Sequence, residues 1–173
     1  MGVLLTSFTT WLSHQKSNSA DDLVEIIQQQ QPSHHYLRKL PVETAAASTI
    51  AIAEIEKLQP SVVICCGMAE SRTTLTLEAI ANSQQSCIQT NVDLSQLISQ
   101  LEHTAISYDA GKFVCEGLYY QVLKHIQINK IYIPCLFVHV PILTPANRET
   151  IVRDFQQIIT FCSKSNQLSA ISH

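Results

Sequence analysis

The sequence predicts a single three-layer α/β/α domain with a mostly parallel central sheet. The chain has 173 residues, which is an ordinary length for one domain. Short β-branched apolar runs alternate along it with longer segments whose apolar residues recur every three or four positions. This alternation is typical of strands connected by helices that cover both faces of a parallel sheet. We expect the domain to span residues 1–162, with a polar tail at residues 163–173.

The first half of the chain contains the clearest strand signals. Residues 3–8 are a short apolar run that predicts a buried strand, and residues 20–30 carry apolar side chains at helical spacing. Residues 35–42 predict an edge strand that stops at a proline, and residues 43–58 predict an alanine-rich helix. Residues 61–67 are β-branched, continuously apolar and ended by glycine, so we expect them to form a central parallel strand.

The second half is expected to continue the same alternation. Residues 106–108 predict a short strand, and residues 113–126 predict a helix because their apolar side chains recur at every fourth position. Residues 134–140 predict the last buried strand, and residues 147–161 predict the last amphipathic helix. The Gln- and Ser-rich stretch at residues 83–99 predicts a loop or a weak helix.

Composition and charge argue against several classes of function. Apolar residues make up 46% of the chain and charged residues 14%, which describes a compact and weakly charged globule. Eleven Lys and Arg against fourteen Asp and Glu give a net charge of −3, so we expect no basic surface for nucleic acid. The chain opens without the pattern of a signal peptide, and no apolar stretch reaches about 18 residues, so we expect no membrane contact.

The cysteines predict free thiols rather than a metal site. They show no C-x-x-C spacing and do not pair with clustered histidines, so we expect no metal and no cofactor. Several lie inside apolar runs, where free cysteine behaves as a small buried hydrophobe in a reducing compartment, and the cytoplasm is the expected location. The six positions are Cys65, Cys66, Cys87, Cys115, Cys135 and Cys162.

Three residues near the ends of predicted strands could act together. Glu78 follows the central strand, Cys115 stands near the start of a predicted helix, and His139 lies in the last strand. A helix N-terminus stabilises a thiolate, a neighbouring histidine can act as its general base, and a carboxylate can orient the imidazole. Each residue also has a structural interpretation, as a buried thiol, a hydrogen-bonded core histidine and a surface carboxylate. Spacing alone leaves both interpretations open.

Five segments, taken in order, give the chain a resemblance to a known family. Three of them centre on the candidate residues just named, and two lie nearer the start of the chain. They read Gly67-x-Ala69-x-x-Arg72-x-x-Leu75-x-x-Glu78, Ser107-x-x-Ala110-Gly111-x-Phe113-Val114-Cys115-x-x-x-Tyr119, Phe137-Val138-His139-Val140-Pro141, Leu40-Pro41-Val42 and Val3-Leu4-Leu5-Thr6-x-Phe8. Together they resemble the pyroglutamyl peptidases, also called pyrrolidone-carboxylate peptidases, which are cysteine peptidases that remove N-terminal pyroglutamate.

The resemblance implies an assignment for each site residue. Cys115 would be the nucleophile, His139 the general acid and base, and Glu78 the acid that orients it. The aromatic side chains of Phe8, Trp11 and Phe113 would line the pyroglutamate pocket. The substrate would be a peptide with an N-terminal pyroglutamate, and the chain could form a homo-oligomer. An apolar aromatic slot suits a small, flat and uncharged lactam, whereas a free α-amino group would be desolvated without a partner.

The sequence departs from the family's pattern at several positions. The family's first loop reads Gly-Phe-x-Pro-Phe-Gly-Gly, and its glycines and proline are absent here. Glu116 replaces the asparagine that follows the family's cysteine, which would place a carboxylate beside the thiolate. The chain between Glu78 and Cys115 is shorter than in the family, and Cys87 stands near the place of an expected arginine. Arg72, which we expect to bind substrate, and Lys112 could substitute for that arginine at the oxyanion.

Two alternatives to a pyroglutamyl peptidase follow from these departures. The first is a non-catalytic member that keeps the fold and binds a small ligand or a protein partner in the cleft. The second is a different acyl chemistry on the same three residues. The presence of Cys115, His139 and Glu78 together favours an enzyme, because substitutions that accumulate after a loss of activity would be expected at these positions too.

Overall fold

The computed structural model describes the backbone of residues 2–171 and the side chains of residues 2–164. Within this range, strands and helices alternate much as the apolar pattern predicts. In chain order the elements are β1 (Val3–Phe8), α1 (Ser19–Gln30), β2 (His35–Leu40), α2 (Thr44–Leu58), β3 (Val62–Met68), β4 (Leu75–Glu78), β5 (Ile80–Asn82), β6 (Cys87–Gln89), α3 (Leu94–Ile98), β7 (Thr104–Ser107), α4 (Val114–Ile128), β8 (Cys135–Val140) and α5 (Arg148–Ile171).

Six of the strands form one sheet in the order β2-β1-β3-β8-β4-β7. The strands β2, β1, β3 and β8 are parallel to one another, which confirms the mostly parallel sheet and the central position of β3. The strand β4 runs antiparallel to β8, and β7 runs parallel to β4. The short strands β5 and β6 pair antiparallel with each other in a separate hairpin.

Helices cover both faces of the sheet, which confirms the three-layer architecture. One face packs its apolar side chains against α1, α3 and α5. The other face packs against α2 and α4, and its largest buried side chains include Phe8, Tyr119 and Phe137. Successive strand residues point to opposite faces, so Val63, Cys65 and Phe137 face α4 while their chain neighbours face α1 and α5.

The structure adds elements that the apolar pattern did not predict. The strand β4 lies in the segment after β3, and Glu78 is its last residue. The stretch at residues 83–99 contains the strand β6 and the short helix α3, so only its helical part was predicted. The helix α5 continues through residue 171 into the predicted polar tail, while residues 172 and 173 lie outside the described range. None of the helices found among the described residues has the length and apolar character needed to cross a membrane.

Candidate active site

A buried hydrogen bond joins Glu78 to His139. The two residues lie on adjacent antiparallel strands, two residues out of direct register, since Thr76 pairs with His139 and Glu78 with Phe137. The Nδ1 atom of His139 lies 2.7 Å from Oε1 of Glu78, and Glu78 is fully buried. An ionised carboxylate accepts hydrogen bonds only, so Nδ1 carries the proton and the neutral ring keeps an unprotonated Nε2.

Cys115 approaches this pair from the start of α4. It is the second residue of the helix, as the sequence predicts for a cysteine near a helix N-terminus. Its sulfur packs over Gly67 of β3, and Gly67 is the register partner of His139 on β8. A Cβ atom added to Gly67 would lie 2.6 Å from Cys115 Sγ, so the absence of a side chain makes room for the thiol.

The surroundings of the Cys115 thiol favour its protonated form. Burial, followed by the charge of Glu78, raises the pKa of Cys115 to about 12. A backbone hydrogen bond at Cys115 and the charge of Arg72 act in the opposite direction with smaller effect. Burial and the Glu78 carboxylate thus outweigh the groups that favour the thiolate. A general base is needed to remove the proton.

Arg72 binds Glu78 from the loop between β3 and β4. Its Nη1 atom donates to Oε1 of Glu78 at 2.5 Å and to the hydroxyl of Thr76. Its Nη2 atom donates to the carbonyl of Asp109 at 2.8 Å and to the hydroxyl of Ser107 at 3.3 Å. The guanidinium that we expected to contact substrate is therefore engaged by protein groups on both of its terminal nitrogens.

The three predicted pocket aromatics have very different exposures. Phe8 is buried at the end of β1 in the core on the α4 side of the sheet. Trp11 lies in the loop after β1 with 45% of its surface exposed. Phe113 immediately precedes α4 and is 83% exposed. Trp11 and Phe113 are thus available to a ligand, whereas Phe8 lies beneath the surface.

Glu116 and Cys87, which replace residues of the family's pattern, both contact elements away from the thiol. The carboxylate of Glu116 accepts a hydrogen bond of 3.1 Å from the backbone N–H of Asn82 in β5, and Glu116 is not among the groups that shift the pKa of Cys115. Cys87 lies in β6 beside Leu123 and Ile126, in the second half of α4.

Two cavities lie elsewhere on the part of the chain that the structure describes. One of about 620 Å³ borders β6 and the second half of α4, including Cys87, Leu123 and Ile126. The other, of about 250 Å³, borders the loops after β1, β3 and β8, and its lining includes His14 and Glu70. Neither is lined by Cys115 or His139. Of the two exposed aromatics, Phe113 stands two positions before Cys115, at the N-cap of α4.

Several contacts at the site were not predicted from the sequence. These are the hydrogen bonds of Arg72 to Thr76 and Ser107, the packing of Cys115 on Gly67, and a hydrogen bond of 3.0 Å from the Tyr119 hydroxyl to the carbonyl of Glu78. Six of these seven residues are named positions of the segments that carry the family resemblance, and Thr76 lies within the first of those segments. Their sequence spacing gives no indication of contact, because the contacts join β3, β4, β7 and α4.

Comparison with known sequences identifies relatives of this arrangement. The sequence model of a family described as pyroglutamyl peptidase matches residues 1–105 and 95–157. A pyrrolidone-carboxylate peptidase of Enterococcus faecalis is 31% identical, in an alignment that covers 65% of this chain and 71% of the relative. A pyrrolidone-carboxylate peptidase of Streptococcus pneumoniae is 28% identical over 60% of each chain. The chain thus spans between 60% and 71% of the length of these two relatives.

Comparison with solved structures identifies the same fold. A pyrrolidone carboxyl peptidase from Pyrococcus furiosus superposes with a TM-score of 0.82 at 17% identity, covering 96% of this chain and 100% of that one. Pyroglutamyl peptidase I from Bacillus amyloliquefaciens superposes with a TM-score of 0.81 at 19% identity, covering 95% and 98% of the two chains. At these identities the likeness establishes the fold alone.

Proposed function

The chain belongs to the pyroglutamyl peptidase family, and we propose that it is a cysteine-type omega peptidase that removes pyroglutamate from the N-terminus of peptides. The observation that carries the proposal is the buried hydrogen bond of 2.7 Å between His139 and Glu78, beside a cysteine at the start of a helix. A nucleophile, a base and a group that orients the base are the set that acyl transfer requires. Nothing favours the non-catalytic alternative.

In the first step Cys115 would attack the pyroglutamyl carbonyl carbon. The unprotonated Nε2 of His139 takes the thiol proton as the sulfur forms its bond to carbon, and this transfer is needed because the pKa of the thiol is high. Glu78 stabilises the imidazolium that results, because its Oε1 already accepts the Nδ1 proton. Collapse of the tetrahedral intermediate breaks the C–N bond, and the leaving amine takes the proton from Nε2.

In the second step water would release the product. His139 removes a proton from the attacking water, the thioester C–S bond breaks, and the proton returns to the sulfur of Cys115. The products are free pyroglutamate and the shortened peptide. Each step uses the same base, so loss of His139 is expected to abolish both.

The first turn of α4 is the proposed site of the oxyanion. Within the described structure, Phe113 at the N-cap makes no side-chain hydrogen bond to this turn, so no N-cap side chain occupies its backbone N–H groups. Helix N-termini favour negative charge, and a pair of backbone donors is a common form of oxyanion hole. This arrangement needs no arginine at the position of Cys87.

The exposed aromatics are the proposed contacts of the lactam ring. Trp11 and Phe113 offer apolar faces on two loops, and Phe8 lies buried at the base of the first of them. An uncharged lactam can be covered by such faces without cost to a polar group, whereas an ammonium needs a hydrogen-bonding partner. We therefore propose selectivity for pyroglutamyl over alanyl and prolyl substrates.

Hydrolysis of a fluorogenic pyroglutamyl amide tests the function directly. We expect the protein to cleave it in preference to the alanyl and prolyl amides, and Cys115→Ala to abolish cleavage while the fold is retained by circular dichroism. Equal turnover of alanyl and pyroglutamyl amides would contradict the aromatic slot. A folded protein that cleaves none of the three would contradict the peptidase and leave the non-catalytic alternative.

The free thiols support a reducing location, and we propose the cytoplasm. All six cysteines lie within the described residues and are free, and four of them are buried in the two cores.

Self-association of the chain stays a prediction, which sedimentation of the purified protein would test.

A further inference from the structure

Arg72 is the only permanently charged group in contact with the Glu78 carboxylate among the described residues. The titratable groups that face Glu78 are Arg72 from the β3–β4 loop, His139 from β8, and Cys115 and Tyr119 from α4. Of these, only the guanidinium is positive at every working pH. A neutral His139 supplies a hydrogen bond but no counter-charge.

The burial of Glu78 makes such a counter-charge necessary. Its side chain is inaccessible to solvent, and its Oε1 accepts from both Arg72 and His139. Its Oε2 is buried and has no hydrogen-bond partner in the described structure. A buried carboxylate is costly unless it is paired, and one oxygen without a partner increases that cost. The ion pair with Arg72 therefore keeps a charged acceptor behind the imidazole.

The guanidinium is itself fixed on its other side. Its Nη2 atom is tied to the carbonyl of Asp109 and the hydroxyl of Ser107, and its Nη1 atom also donates to Thr76. A planar guanidinium bound at both terminal nitrogens cannot turn towards a ligand without breaking several of these bonds. It is held in the one orientation that points Nη1 at Glu78.

We infer that Arg72 is a positioning residue, which holds the Glu78 carboxylate charged and aimed at His139 and does not itself bind substrate or oxyanion. This inference rests on the proposed function for its kinetic test. It predicts that Arg72 affects the chemical step through Glu78 alone. Loss of the guanidinium should lower kcat and leave KM nearly unchanged, since no substrate contact is removed.

A double-mutant cycle on pyroglutamyl amide hydrolysis separates this role from substrate binding. Arg72→Gln is expected to lower kcat by at least about tenfold, and by less than about twofold when added to Glu78→Gln, because residues that act as a unit are not additive. The acidic limb of the kcat profile of Arg72→Gln should move to higher pH, since an unpaired buried carboxylate is protonated more readily. Equal losses in both backgrounds, or a change confined to KM, would overturn the inference.

Two variants guard against a merely structural explanation. Arg72→Lys keeps the positive charge but loses the planar guanidinium with its two terminal nitrogens. Its kcat should therefore lie between those of the wild type and Arg72→Gln. Arg38→Gln is the matched control, because Arg38 makes a similar pair with the buried Asp21 through Nε and Nη2, at 2.9 and 2.8 Å. It should lower the Tm without changing kcat at temperatures where it is folded. Loss of kcat in Arg38→Gln equal to that in Arg72→Gln would contradict a specific role.

A measurement without substrate distinguishes failure of this inference from failure of the proposed function. The Nδ1 proton of His139 shared with Glu78 should give a downfield proton resonance, assigned by its absence in Glu78→Gln. We expect Arg72→Gln to shift or remove this resonance and Arg38→Gln to retain it. A resonance unchanged in Arg72→Gln would overturn the inference even if the wild type hydrolyses pyroglutamyl amides. A shifted resonance in a protein without hydrolysis would contradict the proposed function alone.

Discussion

At Cys115 two physical effects oppose each other. The N-terminal end of a helix favours a thiolate, with an effect worth about 0.3–1 kcal/mol at an exposed site. Burial beside the negative charge of Glu78 disfavours it, and the net result is a pKa of about 12. At pH 7 the thiol is then almost entirely protonated. The proposed mechanism therefore requires that the thiol transfer its proton to His139 during attack.

The rate of alkylation of Cys115 by iodoacetamide should therefore rise with pH. We expect an increase of about tenfold per unit between pH 7 and pH 10, because the thiolate fraction rises by that factor below the pKa. Mass spectrometry of the digested adduct would measure the rate at this site, in a Cys87→Ser background that removes the exposed thiol. A rate that is already constant between pH 6 and pH 8 would instead demonstrate a preformed thiolate–imidazolium pair.

The substituted residue Glu116 shows why a neighbour in sequence need not be a neighbour in the site. Its position after Cys115 led us to expect that its charge would oppose the thiolate. On a helix, consecutive side chains point in directions about 100° apart, and the carboxylate reaches the backbone of Asn82 instead. The charge that does act on the thiol comes from Glu78, which is 37 positions away in sequence and adjacent in space.

At the scale of elements, the reversed direction of β4 brings Glu78 beside His139. Four parallel strands bring their carboxyl ends to one edge, where His139 and Gly67 lie side by side. The strand β4 runs antiparallel to β8, so Thr76 lies opposite His139 and Glu78 follows two positions later, in direct register with Phe137. Glu78 is thus buried inside the sheet rather than placed in a loop at its edge. Burial of this kind gives a rigid support for the imidazole.

Gly67 of β3 provides the space that the thiol occupies, and its substitution tests this packing. A Cβ at Gly67 would lie 2.6 Å from Cys115 Sγ and 2.9 Å from the ring of Phe137, so Gly67→Ala must displace one of them. We expect it to lower the free energy of unfolding by about 1–3 kcal/mol, the usual cost of overpacking. Hydrolysis should fall as well, because a displacement of the sulfur misaligns it with His139.

Introducing Gly67→Ala into both the wild type and Cys115→Ala isolates the contact between position 67 and the Cys115 sulfur. In Cys115→Ala the sulfur is gone, so adding Gly67→Ala should cost less in urea-induced unfolding than it does in the wild type. The clash with Phe137 remains in both backgrounds and cancels in the difference. The same cost in the two backgrounds would mean that the thiol does not pack over this glycine.

The sequence predicted the parallel strands and large helices better than it predicted the region around β4. The strands β1, β3 and β8 are continuous apolar runs buried on both faces, which is a strong local signal. The strand β4 has only four residues, two of them polar, because its α4 side carries the site. The hairpin of β5 and β6 is held by short pairings and by Glu116, which no local periodicity reveals.

The residues of the candidate site were predicted from the sequence, but the contacts between them were not. The resemblance to the family supplied Glu78, Cys115 and His139, and the structure brings Glu78 and His139 into a hydrogen bond with Cys115 packed on the adjacent strand. The roles of Arg72 and Gly67 depend on distances between four elements, and these are set by tertiary packing. The high pKa of Cys115 likewise depends on the groups that tertiary packing places around its sulfur.

At the scale of the whole molecule, buried thiols couple stability to pH. Burial raises the pKa of Cys65 and Cys162 to about 12 and that of Cys66 and Cys135 well above its usual range. These thiols lie in both cores, two on each face of the sheet. Ionising any of them in the folded state would place an unpaired charge among apolar side chains, so the fold resists it.

The free energy of unfolding is therefore expected to fall at alkaline pH. A folded-state pKa above the unfolded value of about 8.5 gives a contribution that is complete below pH 8.5 and is lost as the pH rises towards 12. Each buried thiol should lower the free energy of unfolding by about 1.4 kcal/mol per pH unit in this window. The buried phenol of Tyr119, whose pKa is also raised, should lower it further. Urea unfolding under reducing conditions between pH 8 and pH 11 would measure the slope. Cys162→Ala should reduce the slope by the contribution of one thiol, whereas the exposed Cys87→Ala should leave it unchanged. A stability that stays constant up to pH 11, or an equal change of slope in both variants, would show that the cysteines are less buried than this fold requires.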